Sequence, residues 1–187
     1  MKFCDMQYER IDVRAATEAL DAAAERLSAA KTLGEAEKAF SEREKIISHV
    51  QTMSTIAYIR HTVNTLDGFY EKENDFNDEN APLIEQSEQK FTEAMLGSPL
   101  RAQLEEKYGK LMFVNAELSR KCFSPEIIPD LQEENKLSSE YQKLIASAQI
   151  GFNGEKLNAM FAARHTRRRA GSIWLMATSS TEFLTAL

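Results

Sequence analysis

Ser124-Pro-Glu-Ile-Ile-Pro-Asp-Leu-Gln-Glu-Glu-Asn-Lys-Leu-Ser-Ser-Glu-Tyr-Gln-Lys-Leu-Ile-Ala-Ser-Ala-Gln-Ile-Gly-Phe-Asn-Gly-Glu-Lys-Leu157 changes its hydrophobic period part-way along. Ser124-Pro125 is a helix start, with a capping hydroxyl and a proline at the first helical position. Pro129 makes the first turns irregular. After Leu144 the period becomes two: Ala146, Ala148, Ile150 and Phe152 alternate with Ser147, Gln149 and Gly151, a strand pattern. Asn153-Gly154 supplies the two positive-φ positions of a type I′ turn. Pairing across that turn sets Ile150 opposite Leu157 and Ala148 opposite Ala159. An acidic helix thus runs into a small hairpin, which is barely stable alone and must pack on helices or join a sheet.

Upstream, every signal is helical. Asp12 caps a helix from Val13 whose apolar stripe is Val13, Ala16, Leu20, Ala23, Leu27 and Ala30, with Gly34 as its expected stop. Ala36, Phe40, Ile47, Val50, Met53 and Ala57 mark a second, longer helix toward Leu66. It breaks around Asn64, Asp67 and Gly68. A third runs from near Phe69 through Phe76, Leu83, Phe91 and Met95, with Pro82 kinking it or beginning a new turn. Ser98-Pro99 starts a fourth, whose stripe is Leu100, Leu104, Tyr108, Leu111, Val114, Leu118 and Cys122. The expected class is mainly α: a multi-helix array with a small C-terminal β-hairpin. The expected division is 1–160, helical and ending in the hairpin, and 161–187, a tail.

The 187 residues carry 43% hydrophobic and 28% charged side chains, with 7 Gly and 4 Pro, which suits a packed helical domain. The net charge of −6 excludes a general nucleic-acid binder. No apolar run is long enough to span a bilayer, and the N-terminal residues have no apolar signal core, so cytoplasmic residence and no membrane partner are expected. Cys4 and Cys122 are too far apart in sequence for a Cys-x-x-Cys pair and are expected as reduced thiols, Cys122 buried on its helix stripe. The tail differs: Arg164, Arg167, Arg168 and Arg169 face a single acid, Glu182, and residues 171–187 have no clean period. Two readings of 161–187 stay open, a partly ordered tail and translation in an altered frame.

Catalytic motifs are missing. The three histidines, His49, His61 and His165, lack a following Glu and a partner four residues on. His49 and His61 stand about 18 Å apart along a continuous helix, too far for one metal. The acidic run Glu71–Asn80 fails the EF-hand pattern, with Asn80 at the glycine position and Gln86 at the bidentate position, and reads as a solvated face. Glu133-Glu134 also reads as surface. There is no Gly-x-Ser-x-Gly elbow and no phosphate loop. No catalytic, cofactor-binding or metal-binding residue is expected in this chain.

Several blocks in order carry a resemblance: Tyr8-Glu9-Arg10-Ile11-Asp12; Met-Ser-Thr-Ile-Ala-Tyr-Ile-Arg-His-Thr at 53–62; Asp-Phe-Asn-Asp-Glu-Asn-Ala-Pro-Leu at 75–83; Ser124–Ile128; Leu131–Leu137; and Leu144–Ile150. Over roughly residues 5 to 158 the chain resembles the N-terminal region of oligoendopeptidase F, a zinc peptidase family related to thimet oligopeptidase. The resemblance implies a mostly helical enzyme that cuts short peptides in a deep cleft. The N-terminal helices would form one side of that cleft, and the zinc ligands would lie in a C-terminal catalytic half. His-Glu-x-x-His is absent here, and the pattern is lost after about Asn158. The expectation is a truncated or frameshifted N-terminal part, inactive by itself, with zinc and short peptides belonging to the full-length enzyme. The other reading is a standalone helical protein-interaction module.

Overall fold

The computed structural model describes residues 3–152 and 155–158. Among them lie α1 (Val13–Ala29), α2 (Leu33–Val63), α3 (Gly68–Leu96), α4 (Arg101–Tyr108), α5 (Lys110–Cys122) and α6 (Ile128–Ser147). Short 3₁₀ turns occupy Phe3–Asp5 and Pro125–Ile127. The class is mainly helical. Strands β1 (Gln149–Phe152) and β2 (Glu155–Asn158) pair antiparallel with Ile150 opposite Leu157. The Asn153-Gly154 turn, Ala159 and the whole 161–187 tail lie outside the described residues. The chain divides into two compact units, Met1–Leu137 and Ser138–Leu187. The first holds α1 to α5 and the start of α6.

Within this first unit, α1 lies against both α2 and α3. The stripes on α1 and α2 are the buried ones: Leu20, Ala23 and Leu27 on the first, Ala36, Ile47, Val50 and Ala57 on the second. Alanine at so many contact positions lets helix axes approach closely while costing no side-chain entropy. One core cluster joins Leu27, Ala36, Ala39, Phe91, Met95, Leu104 and Phe113. A second joins Ile11, Leu20, Ile47, Val50 and Ile84.

Helix ends follow local chemistry. Asp12 accepts from the Ala15 N–H at 2.9 Å, and Asp67 accepts from Phe69 at 3.0 Å. Gly34 is not the stop of α1. That helix ends at Ala29, and Gly34 sits in the first turn of α2. Thr32 decides the boundary: its hydroxyl accepts from the Glu35 N–H at 3.3 Å while the Glu35 carboxylate accepts from the Lys31 N–H at 2.8 Å. This reciprocal cap starts α2 at Leu33, one residue before the glycine expected to stop α1.

Pro82 neither ends nor restarts α3, which runs through it. The ring lacks the N–H that would bond the Asp78 carbonyl. The Asn135 amide donates to that oxygen at 3.1 Å, and the Gln132 amide donates to the next carbonyl, Glu79, at 2.7 Å. The start of α6 thus supplies what the proline withholds.

The fourth expected helix is two. Ser98 only opens a turn, its hydroxyl accepting from Leu100 at 3.2 Å, and α4 begins at Arg101. Gly109 then breaks the helix at φ 89, ψ 144. That backbone region is almost closed to residues with a Cβ. The break resets the phase: Phe113 turns inward, while Leu111, Val114 and Leu118 are exposed. A Cβ on Gly109 would meet nothing within 4 Å, so Gly109→Ala isolates the backbone strain. It is expected to lower stability in a urea melt by about 1–3 kcal/mol.

Candidate functional site

Two features built on α2 and α3 stand out. The first begins with the stretch before α1, residues 6–12, which has no regular secondary structure and carries Tyr8 and Arg10. Both reach Glu73 on α3. The Tyr8 hydroxyl donates to Glu73 Oε2 at 2.6 Å, and the Arg10 guanidinium donates to both carboxylate oxygens, at 2.9 and 2.5 Å. Glu73 is 3% exposed. The Arg10 bond holds its carboxyl below the usual carboxylate range, against the opposite pull of burial. Burial, with the Glu73 carboxylate second, pushes the Tyr8 phenol well above its usual range. Arg10 also lies 4.7 Å over the Phe76 ring. From α2, Arg60 donates to the Met6 carbonyl at 2.6 Å and bonds the Tyr70 hydroxyl. Tyr8, Phe69 and Tyr70 pack edge to face around the group. This cluster anchors the entry segment to α2 and α3.

The second feature is a groove of about 860 Å³ bounded by α2, α3 and α5. Its apolar lining includes Phe40, Ile47, Val50, Phe91, Met95 and Met112. Phe40 stacks on Tyr108 with centroids 5.0 Å apart, and meets Phe91 edge on. Arg43 donates from Nε to both Glu88 oxygens at 3.0 Å and lies over Phe91. Lys107 pairs with Glu37 at the rim. The volume lies within the range of ordinary ligand pockets, and an apolar floor with a fixed ionic rim can hold polypeptide. It contains no histidine and no cysteine.

The expected surface residues fall out differently. In the acidic run, Asp75 and Glu79 are exposed as expected, but Glu73 and Asn74 are buried. Glu73 lies three residues before Phe76, but exposed Glu79 lies three residues after it, so local spacing carries no signal for the burial of Glu73. Tyr8, Arg10 and Arg60 were missed as functional partners because their contacts are distant in sequence. Cys122 is exposed rather than buried, because the Gly109 break rotates its stripe outward. Glu133 and Glu134 are exposed. His49 is exposed on α2, His61 is 4% exposed near its end, and His165 lies outside the described residues.

Among the described residues no three of His, Cys, Asp and Glu are grouped so as to hold a metal ion. The donor set does not fit zinc: the two described histidines lie twelve residues apart on one helix, about 18 Å, and neither has a second imidazole one turn away. No described helix is long and apolar enough to cross a membrane.

Residues 3–123 match the sequence profile of the Peptidase M3 N-terminal domain. The structure is similar to PZ peptidase A with inhibitor 2, at 41% identity and a TM-score of 0.81, covering 84% of this chain and 28% of that one. It is similar to an oligoendopeptidase F from Bacillus anthracis str. Ames, at 40% identity and a TM-score of 0.81, over 84% and 29% of the two chains. A further oligoendopeptidase F structure matches at 39% identity with a TM-score of 0.82, over 84% and 28%. No curated protein sequence matches the chain. The chain therefore spans less than a third of the length of the solved relatives it matches.

Proposed function

This chain belongs to the peptidase M3 family through its N-terminal domain, and from that premise we propose that it is the non-catalytic helical wall of a zinc metalloendopeptidase of the oligoendopeptidase F type. The carrying observation is the asymmetry of coverage: 84% of this chain is similar at 41% identity to only 28% of the larger protein. The short-peptide substrate and the zinc belong to the assembled enzyme. Ligands and general base come from a catalytic half outside these residues. The cluster around Glu73 and the groove between α2, α3 and α5 give this wall a fixed shape, which admits extended peptides and excludes folded proteins. The domain covers 1–160 and closes with β1 and β2 as a hairpin, available to a sheet contributed by the remaining polypeptide. Residues 161–187 are basic and then apolar in sequence. The enzyme is cytoplasmic.

The pure chain, loaded with zinc, is expected to show no chelator-sensitive cleavage of a fluorogenic peptide. A full-length chimera carrying residues 1–158 in place of the matched segment of the Bacillus anthracis enzyme is expected to cleave it. An inactive but folded chimera would leave the other reading, a standalone interaction module, as the better account.

A further inference from the structure

The outward side of α5 is apolar. Leu111, Val114 and Leu118 are 71%, 50% and 55% exposed, and Cys122 follows on the same side. Their spacing of three, four and four residues confines them to a stripe under a quarter-turn wide. The opposite side of the same helix is already used: Phe113 is buried and Met112 and Ala116 pack on the core cluster. An amphipathic surface helix needs one apolar face. This one has two, on either side of its axis, and the second is left exposed among the described residues. Lys110 and Lys121 border it on one flank, while Asn115 and Ser119 lie on the other, toward the groove.

We infer that the α5 stripe is the seat of polypeptide from the remaining portion of the peptidase, packed through an apolar face with an acidic border. The inference rests on the proposed function and adds which surface the catalytic portion grips. Three observations carry it. The stripe belongs to the segment matched by the M3 N-terminal profile, which ends at residue 123, directly after Cys122. Solved relatives at about 40% identity contain more than twice as much chain outside the matched part as within it, enough to cover such a face. The two lysines set the sign of the partner's border.

The chimera described above tests this, with Cys122 as reporter. Iodoacetamide labelling of Cys122, read by mass spectrometry of its peptide, is expected to be at least tenfold slower in the active chimera than in the 187-residue chain. Leu111→Lys with Leu118→Lys is expected to lower kcat/KM of the chimera at least tenfold while leaving the melting temperature of the 187-residue chain unchanged. Equal labelling rates in an active chimera would overturn the inference and leave the proposed function standing. An inactive, folded chimera would remove the proposed function and the inference with it. Concentration-dependent dimerisation of the 187-residue chain that protects Cys122 would give the stripe to a second copy, and so also overturn it.

Discussion

Phe113→Ala is expected to cost about 3–5 kcal/mol, the range for deleting a fully enclosed aromatic ring. The ring is 1% exposed and is the largest of the fully buried side chains. It closes the cluster that includes Leu27, Ala36, Phe91, Met95 and Leu104. Its removal leaves a cavity between helices that are already close-packed through alanines and have few large side chains with which to refill it. The Arg101 guanidinium, 5.5 Å from the ring, loses its aromatic platform too. Arg101 is otherwise held by Glu105 at 2.6 Å and Glu117 at 2.7 Å, so α4 and α5 stay tied and the loss falls on the core. The melting temperature should fall by on the order of 10 °C. The informative control is the next residue. Val114→Ala, on the exposed side, should change stability by less than about 0.5 kcal/mol. Comparable losses at 113 and 114 in urea melts would show that the phase of α5 has been placed wrongly.

That pair of neighbours also shows where sequence was legible. α1 and α2 could be read because period and burial agree there: Asp12 caps and Leu20, Ala23, Leu27, Val50 and Ala57 face the core. The period of α5 was equally clear, yet it marked the wrong side. Apolar periodicity reports that a face seeks a partner. It does not say whether the partner lies in the same domain. Leu111, Val114 and Leu118 satisfy the pattern without being core. Gly109, the residue that resets the phase, looked like any other glycine, because a positive φ is a property of the folded path. Cap competition has the same character. Gly34 does not stop α1, because Thr32 and Glu35 share the neighbouring N–H groups and start α2 there.

The candidate site was less legible than the fold. Glu73 sits in a run of acids and amides, and nothing local separates it from Asp75 or Glu79. Its burial depends on two residues more than sixty positions earlier. The groove depends likewise on three helices meeting. The absence of His-Glu-x-x-His, by contrast, needed no structure, because metal ligation by that motif is a spacing rule on one helix.

Glu73→Gln should lower stability at pH 7 by about 2 kcal/mol. The carboxylate is buried, and truncating or neutralising such a group leaves its donors short of a charged acceptor. Half-exposed Arg10 can recover water, which keeps the cost below that of a fully enclosed pair. The pH dependence separates charge from shape. The Arg10 bond holds the folded carboxyl below the unfolded value, ordinarily about 4.5. Its contribution is therefore fully present above that value and is lost as pH falls through the lower, folded one. The wild-type chain should lose stability over that acidic window more steeply than Glu73→Gln, and the gap between them should narrow. At the alkaline end the sign reverses. Tyr8 is held protonated by burial and by the adjacent carboxylate, so its contribution is complete below the usual phenol range and declines above it. Ultraviolet titration should then find one tyrosine that ionises late in the wild-type chain. In Glu73→Gln it should ionise earlier, since the raising influence of the Glu73 carboxylate has been removed, while Tyr8→Phe should delete that late step outright. A wild-type and Glu73→Gln pair with parallel stability profiles between pH 3 and 7 would mean that Glu73 acts through shape alone, and that the charge on this buried side chain does not anchor the entry segment.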